Sequence, residues 1–190
     1  DGHEGVRNSL YYGELVKGFL QTLETRRQGV FEVDLRLRPY GSKGALAPSL
    51  NAFETYYSTG GDARQFERLA LVKLRPVAGD PELAAKVVAA RDRFVYSGLP
   101  LDLDNIRHLR QRQSSELVEP GTVNVKHSLG GLVDVEYYIQ ASQAAAGGTD
   151  PSLRLTNTLA AIDRLADTGP PGTKARGRYQ GRLRLPPEAN

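Results

Sequence analysis

The chain has 190 residues, 39% of them hydrophobic and 25% charged, with a formal net charge of +3, which suits a soluble globular protein of one ordinary or two small domains. No run of about 18 apolar residues is present to span a membrane, and no basic start followed by an apolar stretch marks a secretory signal. The absence of cysteine excludes disulfides and thiolate metal sites and fits the cytoplasm.

The histidines, His3, His108 and His127, lie far apart, so no zinc site is expected, while carboxylates leave Mg²⁺ open. Charge is unevenly placed. Residues 169–190 carry Lys174, Arg176, Arg178, Arg182 and Arg184 against Glu188. The pI of about 9.2 therefore reflects the tail, and the folded part is not expected to bind nucleic acid. The chain starts at Asp1 and holds no methionine, so it reads as a piece of a longer protein.

In chain order, residues 8–27 have helical spacing, with Leu15, Phe19, Leu20 and Leu23 on one track. Gly29 ends that helix. "FEVDLRLRP" alternates apolar Phe31, Val33, Leu35 and Leu37 with charged Glu32, Asp34, Arg36 and Arg38, which predicts a strand over 30–38. "PYGSKGALAP" is a turn-rich connection. Ser49 is an N-cap for a short helix whose apolar side holds Leu50, Phe53, Tyr56 and Tyr57. Asp62 can cap a helix through "ARQFERLALVKLR", closed by Pro76. Asp80 and Pro81 open another that runs to about Ser97. A further helix begins near Asp104. "PGTVNVKHSLGG" predicts one short strand and a loop, and "LVDVEYYIQASQAAA" a helix ending at Gly147 and Gly148. "NTLAAIDRLADTG" is a last amphipathic helix with Leu159, Ile162, Leu165 and Ala166 as its core stripe. Residues 169–190 lack periodicity and read as disordered.

The chemistry-bearing candidates fall into two stretches. On the predicted strand, Asp34 is flanked on its own face by Arg36 and Arg38. A carboxylate there can hold a metal ion in register with a phosphate, and the guanidinium forks suit phosphate oxygens. A solvent-facing ladder of ion pairs has the same pattern. In "KHSLGGLVDVEYYIQ", Lys126, Gly130 and Gly131 precede a helix start, where backbone N–H groups and the helix dipole favour an anion. Asp134 and Glu136 lie about 200° apart on that helix and cannot both face one ligand; acids there also simply stabilise helix starts. Of Glu67, Arg68, Lys73 and Arg75, Glu67 and Lys73 are not at a helical pairing distance, and Arg68 and Lys73 are expected at the surface rather than in catalysis. The basic face 107–113 is expected to be solvated, or to line a groove for an anionic ligand. Each adjacent tyrosine pair (11/12, 56/57 and 137/138) is expected to place one ring in the core and one half exposed.

Three stretches in this order, "FEVDLRLRPYGSKGALAPSLNAFETYY", "FERLALVKLRPVAGD" and "NVKHSLGGLVDVEYYIQ", resemble the glutamine synthetase adenylyltransferase/adenylyl-removing family over roughly residues 8–168. The resemblance implies an α+β, mostly α chain. Residues 1–48 would be the later part of a DNA polymerase β-like nucleotidyltransferase core, 49–168 a helical domain and 169–190 a basic tail. It implies transfer of AMP from ATP to a tyrosine of glutamine synthetase, or its removal by phosphorolysis to ADP, with the PII signal protein as regulator. Asp34 takes the place of the family's third catalytic carboxylate, on Mg²⁺. "PSLRLTNTLAAI" and "RDRFVYSG" look closer to the adenylyl-removing unit, and the direction of transfer stays open. The Gly-Ser strand with paired aspartates that the family pattern places before residue 8 is not found in "DGHEGV".

Two other readings stay open. One is a relative that uridylylates the PII protein, which shares a looser "GGLVDVE" start. The other is a non-catalytic helical docking module for a protein partner. With one carboxylate of the catalytic set in hand, the chain alone is expected to give no AMP transfer or release with glutamine synthetase and Mg²⁺. Robust turnover in that assay would contradict the reading.

Overall fold

A computed structural model describes residues 2–26 and 33–168. Among them are seven α-helices: α1 (Gly2–Arg26), α2 (Leu50–Tyr56), α3 (Glu67–Leu71), α4 (Pro81–Val95), α5 (Leu103–Leu117), α6 (Leu132–Ala146) and α7 (Thr158–Thr168). Short 3₁₀ turns occur at Gly41–Lys43 and Pro151–Leu153. The chain forms two compact units, Asp1–Val95 and Tyr96–Asn190. The mostly helical expectation holds. The disordered tail predicted for 169–190, and residues 30–32 of the predicted strand, lie outside the described residues.

The described residues contain no strand, which corrects the β part of the expectation for 33–38. Those residues bond locally instead of to a neighbouring ladder. The Arg36 N–H donates to the Asp34 carboxylate at 2.9 Å, Arg38 N to Arg36 O at 3.0 Å and Gly41 N to Arg38 O at 2.8 Å. Alternation marks a strand only when a partner takes the outward donors. The short strand expected in 120–131 is also replaced by a loop closed on itself.

In the first unit, α1 has the predicted helix but not a buried track: Leu15 and Phe19 are 59% and 63% exposed. Ser49 caps α2 as expected, its Oγ accepting from Ala52 N at 3.2 Å. Tyr56 and Tyr57 are both buried, which corrects the one-in, one-out expectation. Their rings join Tyr40, Phe53 and Phe94 in an aromatic cluster with centroids 4.7–5.1 Å apart. The hydroxyls of both tyrosines donate to the buried Glu67 carboxylate, at 3.0 and 3.4 Å. Glu67 also accepts from Arg64 N at 2.9 Å. Burial and this carboxylate raise both tyrosine pKa values above the ordinary range.

Asp62 is not a cap; it accepts from the Tyr40 hydroxyl at 2.7 Å. The helix expected over 63–75 shrinks to α3 because its continuation turns to i→i+3 bonds, Val72 N to Leu69 O and Leu74 N to Leu71 O. The carbonyls freed there are claimed by an arginine of α4. Arg91, 5% exposed, donates from Nη1 to Val72 O at 3.1 Å and Leu74 O at 3.2 Å. Reciprocally Arg68, expected at the surface, is 1% exposed. Its Nε and Nη2 hold Val95 O at the end of α4, at 3.2 and 3.0 Å. Asp80 caps α4 as predicted, accepting from Leu83 N at 2.7 Å.

In the second unit the helix expected to begin near Asp104 is α5, capped by Asp102, which accepts from Asn105 N at 3.0 Å. Helix α6 spans the predicted residues. Its Ile139 packs with Leu153, Ala161 and Leu165. The buried stripe of α7 is thus Ala161 and Leu165 with Ile162 beside them. Leu159 is 73% exposed and Ala166 is exposed, a correction to the expected stripe: the face that meets α6 and the 151–153 turn runs through Ala161 and Leu165. Gln143, 2% exposed, donates from Nε2 to Leu153 O at 2.7 Å and Leu155 O at 2.8 Å. It thereby fixes the turn that brings α7 back to α6. Gly147 ends α6 where an added Cβ would lie 2.6 Å from the Tyr96 ring.

Replacing Gln143 by Ala leaves two buried carbonyls without their donor. We expect a loss of about 2–4 kcal/mol in stability, read as a lowered urea midpoint. A midpoint equal to wild type would show that the two bonds contribute nothing net.

Candidate functional site

The first candidate group lies on the irregular segment that follows residue 32. Asp34 Oδ1 accepts from the Arg36 backbone N–H and from Nε, both at 2.9 Å. Asp34 Oδ2 accepts from Arg36 Nη2 at 2.7 Å. Both carboxylate oxygens are therefore engaged by one neighbour, with the Asp34 and Arg36 side chains 56% and 81% exposed. These hydrogen bonds, and then the guanidinium charge, lower the Asp34 pKa to about 2 and raise that of Arg36. Exposed pairs of this kind are screened by water and add little to stability.

Arg38 behaves differently from its sequence neighbour. It is half-buried and turned onto carbonyls, donating to Leu35 O and from Nε to Gly44 O at 3.3 Å. It fastens the 35–44 turn. Tyr40, at the left-handed φ of 62°, follows directly, an uncommon conformation for a side chain of its size. Its hydroxyl bond to Asp62 and its ring contact with Tyr56 at 4.8 Å hold it there.

The chemistry expected of Asp34 includes Mg²⁺. Among the described residues no three His, Asp or Glu side chains gather into a metal-binding group. Asp34 stands as one carboxylate with both oxygens on Arg36. The described donors therefore do not fit a magnesium ion by themselves.

The second candidate group, Lys126, Gly130 and Gly131, sits in the loop that leads into α6. Asn124 Oδ1 accepts from Lys126 N and His127 N, each at 3.0 Å, and Ser128 Oγ accepts from Asn124 N at 2.8 Å. Gly130 has φ +81°, the region open to glycine. At Gly131 an added Cβ would meet Val125 O at 2.6 Å. The glycine pair is therefore required by the loop's own path. The donors at this helix start have partners on the chain. Leu132 N donates to Val125 O at 3.0 Å, Val133 N to Lys126 O at 3.1 Å and Gly131 N to Ser128 O at 2.9 Å. Gly130 N donates to Asp134 Oδ2 at 2.5 Å. The Lys126 side chain is exposed.

Beneath this loop is a residue that sequence reasoning passed over. Arg110, on the α5 face expected to be solvated, is 6% exposed. Its Nε donates to Asp134 Oδ1 at 2.6 Å. Its Nη2 donates to His127 O at 2.9 Å and Ser128 O at 3.0 Å. The signal was present: Arg110 stands four residues after buried Ile106, on the inward track of α5. The other arginines of that helix are surface partners, Arg107 with Asp104 at 2.9 Å and Arg112 with Glu116 at 3.3 Å.

The structure thus groups Asp34, Arg36 and Arg38 in the first unit, and Lys126, Gly130 and Gly131 in the second. A cavity of about 490 Å³ beside α2 and α4 is lined by Glu54, Ser58, Thr59 and Arg93 among others, and by none of these six. Its charged residues are paired, Arg93 Nη2 to Glu54 Oε1 at 2.9 Å.

The depressed Asp34 pKa gives a direct check. A carboxylate whose pKa falls on folding adds its stabilisation above the ordinary value of 3.8 and loses it as pH drops through about 2. With Arg36→Gln, a carbon-detected NMR titration should move the Asp34 midpoint back towards 3.8. An unmoved midpoint would show that Arg36 is not the cause.

Comparison with known proteins gives the family. A family profile described as glutamate-ammonia ligase adenylyltransferase matches residues 1–90. A Hahella chejuensis protein is 34% identical over 175 residues, covering 88% of this chain and 18% of its own length. A Pseudomonas putida protein is 38% identical over 184 residues, covering 90% and 18%, and one from Pseudomonas aeruginosa is 35% identical over 191 residues, covering 93% and 19%. All three are named bifunctional glutamine synthetase adenylyltransferase/adenylyl-removing enzyme. This chain spans about a fifth of the length of the relatives it matches. With 34–38% identity running through most of its residues, the chain belongs to the glutamate–ammonia ligase adenylyltransferase family.

Proposed function

We propose that this chain is a segment of a nucleotidyltransferase that attaches AMP to a tyrosine of glutamine synthetase, removes it by phosphorolysis, or does both. ATP, ADP and phosphate are then its small substrates and products, the cytoplasm its location and the PII signal protein its regulator. The observation that carries this reading is the identity to enzymes whose names state both activities, extending over 88–90% of the chain. In this proposal residues 1–48 belong to a DNA polymerase β-like core, 49–168 to a helical domain and 169–190 to a basic tail.

The residues take the following roles on this reading. Asp34 supplies one ligand for Mg²⁺, with further carboxylates coming from outside the described set. Arg36 and Arg38 supply positive charge near a phosphate, which nucleotidyl transfer requires because its catalysis is mainly positioning and charge stabilisation. Arg36 can do so by releasing Asp34, since its side chain is exposed. Lys126 supplies a point charge. The Gly130 and Gly131 amides face a phosphate only by leaving their present partners, Asp134 and Ser128.

Asp34→Asn tests the reading in the whole protein that carries this sequence. AMP transfer to glutamine synthetase, and phosphate-dependent release from it, are measured with Mg²⁺. A loss of about 100-fold in at least one direction is expected for a removed metal-ligand charge. Full activity in both directions would remove Asp34 from the chemistry.

A further inference from the structure

Arg110 and Asp134 form an enclosed ion pair in the second unit. Their side chains are 7% and 31% exposed. Each partner also holds backbone of the same loop. Arg110 Nη2 takes the carbonyls of His127 and Ser128, and Asp134 Oδ2 takes the N–H of Gly130. The pair therefore grips the loop at 127–128 and at 130, on both sides of exposed Leu129. Val125 O and Lys126 O are tied in turn to the first turn of α6.

Every backbone anchor around Lys126 is thus fixed. Its N–H goes to Asn124 Oδ1 and its carbonyl accepts from Val133 N, while its ammonium-bearing side chain stays exposed. A lysine held this way by its backbone presents a charge from a defined point without using the side chain for structure. A buried arginine fork is suited to such a clamp, because its donors are planar and set at fixed angles, whereas a lysine is a single rotating point charge.

We propose that Arg110 and Asp134 are positioning residues, a clamp that sets the 124–131 loop so that Lys126 meets the phosphates of a nucleotide. The inference rests on the nucleotidyltransferase reading above, and deepens it by naming the residues on which the lysine depends. Neither clamp residue touches the ligand. The effect of Arg110 must pass through Lys126, and that is what separates positioning from a general structural role.

A double-mutant cycle in the full chain tests this, with ATP as the probe and affinity read from amide shifts in NMR titrations. Lys126→Ala and Arg110→Lys should each weaken ATP binding about tenfold, the scale of one charge-assisted contact. The double variant should be no weaker than either single one. Spectra of α7, away from the loop, should match wild type in all three. Two results overturn the clamp while leaving nucleotide binding intact: Arg110→Lys binding like wild type, or the two losses multiplying in the double variant. No ATP binding by the wild-type chain would overturn the phosphate reading of the loop and the clamp's role with it. Asp134→Asn, which keeps an acceptor for Gly130 but loses the charge facing Arg110, should fall with Arg110→Lys. Wild-type affinity in Asp134→Asn would remove Asp134 from the clamp.

Discussion

Three buried guanidinium groups hold backbone carbonyls at helix ends and in the loop before α6, and much of the architecture follows from them. Short helices are costly in this respect, because each ends with carbonyls that have no partner inside the helix. Arg91 takes those left where α3 stops, at Val72 and Leu74. Arg68 takes Val95 O at the end of α4. Arg110 takes His127 O and Ser128 O in the loop before α6. A buried charge without partners would destabilise the fold strongly. Here Arg91 and Arg68 are matched to oxygens at helix ends, and Arg110 to the Asp134 carboxylate and two loop carbonyls.

The exposed and buried electrostatics therefore have different consequences. Asp34 and Arg36 form a local pair in contact with water. It orders a few residues of backbone, shifts a pKa and can open at little cost. Arg110 and Asp134 form a pair tied to two stretches of loop, and opening it would strand several polar groups together. Chemistry that requires a mobile charge suits the first setting, and chemistry that requires a fixed geometry suits the second. An enzyme that moves a nucleotidyl group requires both, since positive groups must be ready around the phosphates while the reacting atoms are held in line.

The glycine pair at 130–131 shows how a motif can carry more than one meaning. Its positive φ and its lack of room for a Cβ are sufficient reasons for glycine without any ligand. The same turn aims the chain into α6 and brings Asp134 under the loop to meet Arg110. A phosphate contact there would be added to a local geometry that already demands these residues.

The sequence by itself determined the helices with strong local signals. Ser49 and Asp80 as caps, Pro81 as first residue and the span of α6 were all legible, because caps and periodicity act through nearest neighbours. So was the family, since three long stretches in order leave few alternatives. Partner choice was not legible. Alternation in 33–38 promised a strand, yet those donors found Asp34 and nearby carbonyls. Arg68 and Arg110 looked like surface cations until distant carbonyls claimed them, and Tyr56 and Tyr57 went inside together because Glu67 accepts from both. Tertiary structure decided the arginines and tyrosines because a polar side chain is buried only where its hydrogen bonds are met, and the groups that meet them lie about 10 to 27 residues away along the chain.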